Sequence, residues 1–348
     1  MPAYEEKTLP LVSICIPTYN GSNHIKETLD SAINQSYKNI EIIITDDHSS
    51  DDTLTICESY AEEDSRIKVH KNEKNLGLVG NWCASLERAS SKWVKFLFQD
   101  DLLQENCVER MIKCAIEHSV DFVICNREYF FEEGFNPKIK RYYSEKLPKT
   151  ENIFNEERVY TPKETSKLIS NHIFNNCIGE PPTFLFNKEK YSRSDFPDNY
   201  FQLIDYIFIL NKILVHNFVF ISDKLVKFRV HTSSESMKNS KVNTENTKEF
   251  HKFLYIQYYE KIQICYEILN NPIFSEVKKH IPEKHITVIK NLYAGSSYKR
   301  HGFDKVFQFY KKSDLSSFIL DKFSSSYTYL SYKVYKTIYK KVRKKYKI

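Results

Sequence analysis

Glycine is scarce: the chain has seven in 348 residues. No G-x-G-x-x-G follows the first apolar run, and no G-x-x-x-x-G-K-[ST] occurs anywhere. That argues against a glycine loop whose backbone N–H groups wrap a phosphate. Paired cysteines are missing as well. The eight cysteines are scattered without a C-x-x-C, and Cys15 ("VSICIP") and Cys125 ("DFVICN") sit inside apolar runs, where a thiol behaves as a small hydrophobe. This argues against a zinc cluster and for a reducing, cytoplasmic setting. No run approaches the ~18–20 apolar residues of a membrane span. The opening "MPAYEEKTLP" is polar and acidic and has no signal-peptide core.

Basic charge is also missing from most of the chain. The net charge is +6, yet Lys333 to Ile348 alone hold eight Lys or Arg and no acid. Without them, 43 basic residues face 45 acidic ones. A nearly neutral body argues against a nucleic-acid binder. With 41% hydrophobic and 28% charged residues, the composition is that of a globular protein.

What is present is an alternation. Apolar runs at 11–17, 40–45, 66–70, 92–99 and 121–126 read as strands, and amphipathic segments between them read as helices. Ser22 or Asn23 is placed to cap the first helix and Ser49 or Ser50 the second. Such a rhythm predicts a mostly parallel sheet with helices on both faces. Past residue 127 the pattern breaks into aromatic and charged loops. It resumes with a helix in "FQLIDYIFILNKILVHN" and a strand in "FVFISDKLVKFRVH", then gives way to a polar linker at 234–248 and a helical region to the end.

Ligands of open parallel sheets bind beyond the strands' carboxyl ends. Here the first strand ends in Pro17-Thr18-Tyr19-Asn20, the second in Asp46-Asp47-His48-Ser49, and the fourth in Gln99-Asp100-Asp101. Together they would suit a nucleotide: Tyr19 can pack on a base, and an Asp can accept from a ring N–H or ribose hydroxyls. With no phosphate loop, a diphosphate needs a divalent cation, which Asp100 or Asp101 could hold. The plainer alternative is that the acidic pair caps the next helix.

These motifs, in this order, resemble those of family 2 glycosyltransferases. The family has a "P-x-Y-N" strand end, a "DD-x-S-x-D-x-T" strand end (46–53 here), an "N-x-G" (Asn75-Leu76-Gly77) and a "DxD"-type acidic motif. The likeness covers roughly residues 10–233. It implies an α/β fold of GT-A type, Rossmann-like, with a C-terminal helical extension outside it. It further implies that Pro17, Tyr19 and Asp47 lie against the nucleoside and Asp100 against the ribose or sugar. Asp101 would coordinate a manganese or magnesium ion on the diphosphate. Position 99 is Gln where a three-residue acidic motif would open with Asp. "FQLIDYIFIL" resembles the helix start that carries the family's general base, which points to Asp205. "KFRVHTSSES" is similar to a later segment in which Arg229 would meet the diphosphate and His231 would join the metal shell. "GEPPTFLF" (179–186) would line the acceptor side.

The expectation is an inverting transferase that moves a sugar from a nucleotide sugar, with UDP as the expected nucleotide, to a glycan or lipid-linked acceptor. Residues 1–126 would bind the donor and 127–233 would bind the acceptor and hold the base; 249–348 would form the helical region. Tyr332, Tyr335, Tyr339, Val342 and Tyr346 share one helical face beside a row of lysines. A basic helix of this kind suits an anionic membrane surface and predicts peripheral attachment to the inner face of the cell membrane. The two rival readings are a sugar nucleotidyltransferase and a non-catalytic glycan- or partner-binding protein. The first needs a basic, glycine-rich loop that "PTYNGSN" lacks; donor hydrolysis separates the second.

Overall fold

β1 (Val12–Thr18) and β2 (Ile40–Asp46) bury every residue, as strands covered on both faces must. They belong to a computed structural model that describes residues 10–135, 137–146, 149–170, 172, 178–196, 203–231, 260, 264, 267–281, 283 and 286. The chain divides into two units. One comprises Met1–Thr165, Cys177–Asn199 and Ile204–Val230; the other comprises Ser166–Asn176, Tyr200–Leu203 and His231–Ile348.

The first unit holds a nine-stranded sheet. β3 (Ile67–Lys71), β4 (Trp93–Phe96), β5 (Leu102–Leu103) and β6 (Phe122–Phe131) follow the first two strands; β7 (Val159–Tyr160), β8 (Phe184–Asn187) and β9 (Phe218–Val230) complete it. The order is β3-β2-β1-β4-β8-β6-β9-β5, with β7 also on β9. β1 to β4 are mutually parallel, and β6 is parallel to β9. β8 runs antiparallel between β4 and β6, so the sheet is mixed. β5 and β7 add antiparallel pairings on β9.

Helices cover both faces. Val12, Ile14 and Ile16 share a core with Ile25 and Leu29 of α1 (Ile25–Ile33), Cys57 of α2 (Thr53–Glu63), and Met111 and Ile112 of α4 (Cys107–Glu117). Cys15 alternates to the other face, where its thiol meets the Ser85 carbonyl of α3 (Gly77–Arg88) at 3.6 Å. α5 (Pro137–Arg141) and α6 (Pro162–Ser170) follow later in the chain. On the α3 face, Phe208 of α7 (Ile204–Ile213) stacks on Phe196 with ring centroids 4.4 Å apart and meets Phe186 of β8 edge-on. These rings seat α7 on the sheet.

In the second unit, Glu260 accepts from the Leu203 N–H at 2.9 Å; Ile264, Ile268 and Phe274 are buried, as is Val277 of α8 (Ser275–His280). Among the described residues no helix is long and apolar enough to cross a membrane. The basic tail and the 234–248 linker lie outside the described residues.

Three sequence expectations shift. The first two helices start later than their proposed caps, at His24 and Asp52, and neither cap position makes a side-chain capping bond. Ser22 and Ser49 have other partners, described below. β6 continues through Phe131, into what reads as loop, because parallel pairing with β9 supports it to Val230. β4 stops at Phe96 rather than 99, because the chain turns there and the Asp101 N–H meets the Phe98 carbonyl at 3.1 Å.

Candidate active site

The carboxyl ends of β1, β2 and β4 meet on one rim. Pro17 and Thr18 pair with Thr45 and Asp46, and the Asp47 N–H reaches the Thr18 carbonyl at 2.8 Å. Beyond β1, four consecutive N–H groups each find a side-chain acceptor. Tyr19 donates to Gln99 Oε1 (2.8 Å), Asn20 to Ser49 Oγ (2.9 Å), Gly21 to Thr53 Oγ1 (2.8 Å) and Ser22 to Asp51 Oδ2 (3.1 Å). Asn20 takes φ +49°, a left-handed turn that asparagine tolerates. The Tyr19 ring stays 45% exposed above this braced loop. Pro17 is buried beneath it, inside β1.

Asp47 is buried and its carboxylate is engaged. Oδ1 accepts from Asn72 Nδ2 (2.9 Å) and the Leu76 N–H (2.8 Å); Oδ2 accepts from the Gly77 N–H (2.9 Å). Gly77 adopts φ +74°, which admits few other residues. Asp47 therefore fixes the turn into α3. Asn81 of α3 ties the same corner together, donating to the Thr18 and Thr45 carbonyls and accepting from Asn72. Sequence reading passed over both asparagines. The available signal was an Asn on the apolar face of "GLVGNWCASL".

Asp101 is of a different kind. It is 1% exposed; Oδ1 accepts from the Arg229 N–H at 2.9 Å, while Oδ2 is buried with no hydrogen-bond partner among the described residues. Burial, and then the neighbouring Asp100 charge, push its carboxyl well above the usual carboxylate range; the Arg229 N–H only partly offsets this. A bare buried carboxylate oxygen is costly unless something positive meets it. The residue thus fits the role of ligand to a divalent cation, and that chemistry suits an oxygen donor.

The Arg229 guanidinium is engaged on several sides. Its Nε donates to the Asp100 carbonyl (2.9 Å), its NH2 group pairs with Glu27 (2.8 Å), and its guanidinium lies 4.5 Å from the Phe130 ring centroid. Asp205 sits in the first turn of α7, where the helix dipole favours an anion, one turn before Phe208. Its Oδ1 accepts from the Tyr206 N–H at 2.7 Å. His231 opens the second unit directly after β9. In the 179–186 segment, Glu180 pairs with the buried Arg127, which also donates to the Tyr129 hydroxyl at 2.7 Å.

Comparison with known proteins agrees with the resemblance read from the motifs. Residues 13–179 match the model of glycosyl transferase family 2. Over that span the chain resembles a family 2 glycosyltransferase domain. Glycosyltransferase GlyA of Streptococcus pneumoniae is 34% identical over 123 residues, 35% of this chain and 17% of GlyA. Glycosyltransferase GlyG of the same organism is 26% identical over 230 residues, 64% of this chain and 72% of GlyG. The chain spans between 17% and 50% of the length of the first curated relatives it matches. Among solved structures, S. aureus TarS 1–349 in complex with UDP-GlcNAc superposes with a TM-score of 0.56 at 22% identity, covering 79% of this chain and 71% of that one. That likeness is one of fold, and it agrees with the GT-A architecture. Every motif from Pro17 to Asp101 falls within the matched span.

Proposed function

We propose that the chain is an inverting glycosyltransferase that moves a sugar from a UDP-sugar to a hydroxyl of a glycan or lipid-linked acceptor, in cell-surface polysaccharide synthesis. One observation carries this reading: Asp101, buried with an unpartnered oxygen, stands on the rim where Tyr19 is presented on a braced loop. The domain family supports transfer, and the UDP-GlcNAc held by TarS favours a UDP donor.

The exposed ring of Tyr19 would take the base. Asp47, with three of its acceptor positions used, would fix the turn at 75–77 and offer what remains to the nucleoside. Asp100 would face the ribose or sugar. Asp101 would hold a divalent cation, manganese or magnesium, which when bound offsets the charge of the departing diphosphate. Arg229 would add positive charge there after exchanging its contact with Glu27. Asp205 would take the proton of the acceptor hydroxyl as that oxygen attacks the anomeric carbon. A single displacement by that oxygen inverts the centre. The tail at 327–348 would hold the enzyme against an anionic membrane. Deleting it is expected to release the protein from vesicles containing anionic lipid.

The test is release of nucleoside diphosphate from a panel of sugar nucleotides with Mn2+ or Mg2+. Release from one donor, lost in Asp101→Ala and, with acceptor present, in Asp205→Ala, is the expected result. No release from any donor would favour a binding protein. An active Asp205→Ala enzyme would refute that choice of base.

A further inference from the structure

Gln99 does more than interrupt an acidic motif. Its side-chain amide makes two hydrogen bonds to a single residue 80 positions earlier: Oε1 accepts from the Tyr19 N–H at 2.8 Å and Nε2 donates to the Tyr19 carbonyl at 3.1 Å. Only one orientation of the amide satisfies both, because the N–H needs the oxygen and the carbonyl needs the NH2 group. The pairing copies what a neighbouring strand would do, at a point where β4 has already ended. Gly21 leaves room for it: a Cβ there would fall 2.4 Å from Gln99 Oε1.

We propose that Gln99 is a positioning residue for donor binding: its amide clamps the main chain of Tyr19 and so holds the exposed tyrosine ring in place as the platform for the donor's base. The proposal rests on the donor reading of the Tyr19 rim given above. An acid at position 99 cannot replace the amide. A carboxylate has no N–H for the Tyr19 carbonyl and would set a negative charge against it; aspartate is also one carbon shorter. Glutamine at 99 therefore exchanges an acidic group for a rigid tie between the ends of β1 and β4. The same tie joins Tyr19 to the segment that carries Asp100 and Asp101, so base platform and acidic pair share one frame. A ring ordered before binding spares the ligand the cost of ordering it.

The experiment uses the full chain and its Gln99→Glu, Gln99→Asp and Gly21→Ala variants. UDP affinity is measured by calorimetry, Mn2+ binding is measured with the metal alone, and exchange of the Tyr19 amide is followed by hydrogen–deuterium mass spectrometry. Gln99→Glu keeps the length while replacing the donor with a charged oxygen, so it guards against a variant that fails to fold. Loss of one clamp bond is expected to weaken UDP binding by about tenfold in Gln99→Glu and Gln99→Asp. In turnover the donor KM should rise by a similar factor with kcat nearly unchanged, the Tyr19 amide should exchange faster, and Mn2+ binding should not change. Gly21→Ala should reproduce the effect from the other side. Gln99→Asp with unchanged UDP affinity, or with tighter Mn2+ binding, would overturn the clamp and make position 99 part of the metal motif. A wild-type chain that binds no nucleoside diphosphate overturns the donor reading itself. Unchanged Tyr19 exchange in Gln99→Glu, with UDP still bound by the wild type, overturns the clamp alone.

Discussion

Glu41 and Asp101 are both buried carboxylates, and they lie at opposite ends of the same parallel strands. Glu41 stands at the start of β2. It accepts from Ser13 Oγ (2.6 Å), the Ser90 N–H (2.6 Å) and Ser90 Oγ (2.8 Å), and pairs with Lys68 at 2.8 Å. Burial pushes its carboxyl up, but Lys68, Ser13 and Ser90 outweigh that and bring it down to about 2. Asp101 has one N–H donor, a bare oxygen and a like charge next door, and is driven the other way. Two carboxylates withdrawn from solvent thus reach opposite electrostatics. The saturated carboxylate staples β1, β2 and β3 together; the unsaturated one stores a cost that a bound cation would relieve.

The contrast breaks most visibly at Asp101. Asp101→Asn removes a poorly compensated charge and, with it, the carboxylate proposed to hold the cation, so nucleotide-dependent turnover is expected to fall by on the order of 10²–10³. The melting temperature should hold or rise. Diphosphate-release assays run beside thermal melts check this; a variant that loses stability along with activity would make Asp101 as structural as Glu41. Glu41→Gln is expected to do the reverse, costing about 2 kcal/mol in urea unfolding while turnover per folded molecule is kept.

The acid limb sharpens the same pair. Glu41 titrates lower in the folded chain than in the unfolded one, so its contribution is full above about pH 4.5 and disappears as pH falls toward about 2. Urea midpoints of wild type and Glu41→Gln should converge across that window. A gap of constant size would mean that the carboxylate's charge is not what the network holds. The smallest effect is Ser13→Ala, which leaves Lys68 and Ser90 on Glu41. It should cost about 1 kcal/mol and leave UDP affinity untouched.

Much of the rim was legible because doubly buried strands are continuous apolar runs, and their polar ends stand out against them. Tyr19, Asp47 and Asp101 could be placed on one edge from the alternation alone. What was not legible lies in pairings distant along the chain. Nothing near Gln99 announces a bond to Tyr19, and nothing in "TFLFN" fixes β8 as antiparallel between β4 and β6. Glu41 left a faint sign, a single acid inside "IEIIIT". Its partners come from β1, β3 and the turn after α3, so its meaning waited on the fold. Arg229 was read only as a group that would meet the diphosphate; its contacts with Glu27 and Phe130 could not be seen from the motif. A side chain's availability depends on neighbours that a motif does not contain.

The pairing of β6 with β9 is irregular in one place. From Ile221 to Val226, β9 takes five steps while β6 takes two, from Cys125 to Arg127. Ser222, Asp223 and Leu225 have no partner on β6; Ser222 and Asp223, with Lys224 after them, form an exposed stretch. A surface stretch of this kind ordinarily accepts insertions and deletions with little effect. Here its length decides which residue of β9 arrives beside Asp101, because a one-residue change would exchange the two faces of everything after it. The segment is therefore free to vary in composition but not in length. Homologous chains that hold the Arg229 contact should differ there by substitution and not by gaps.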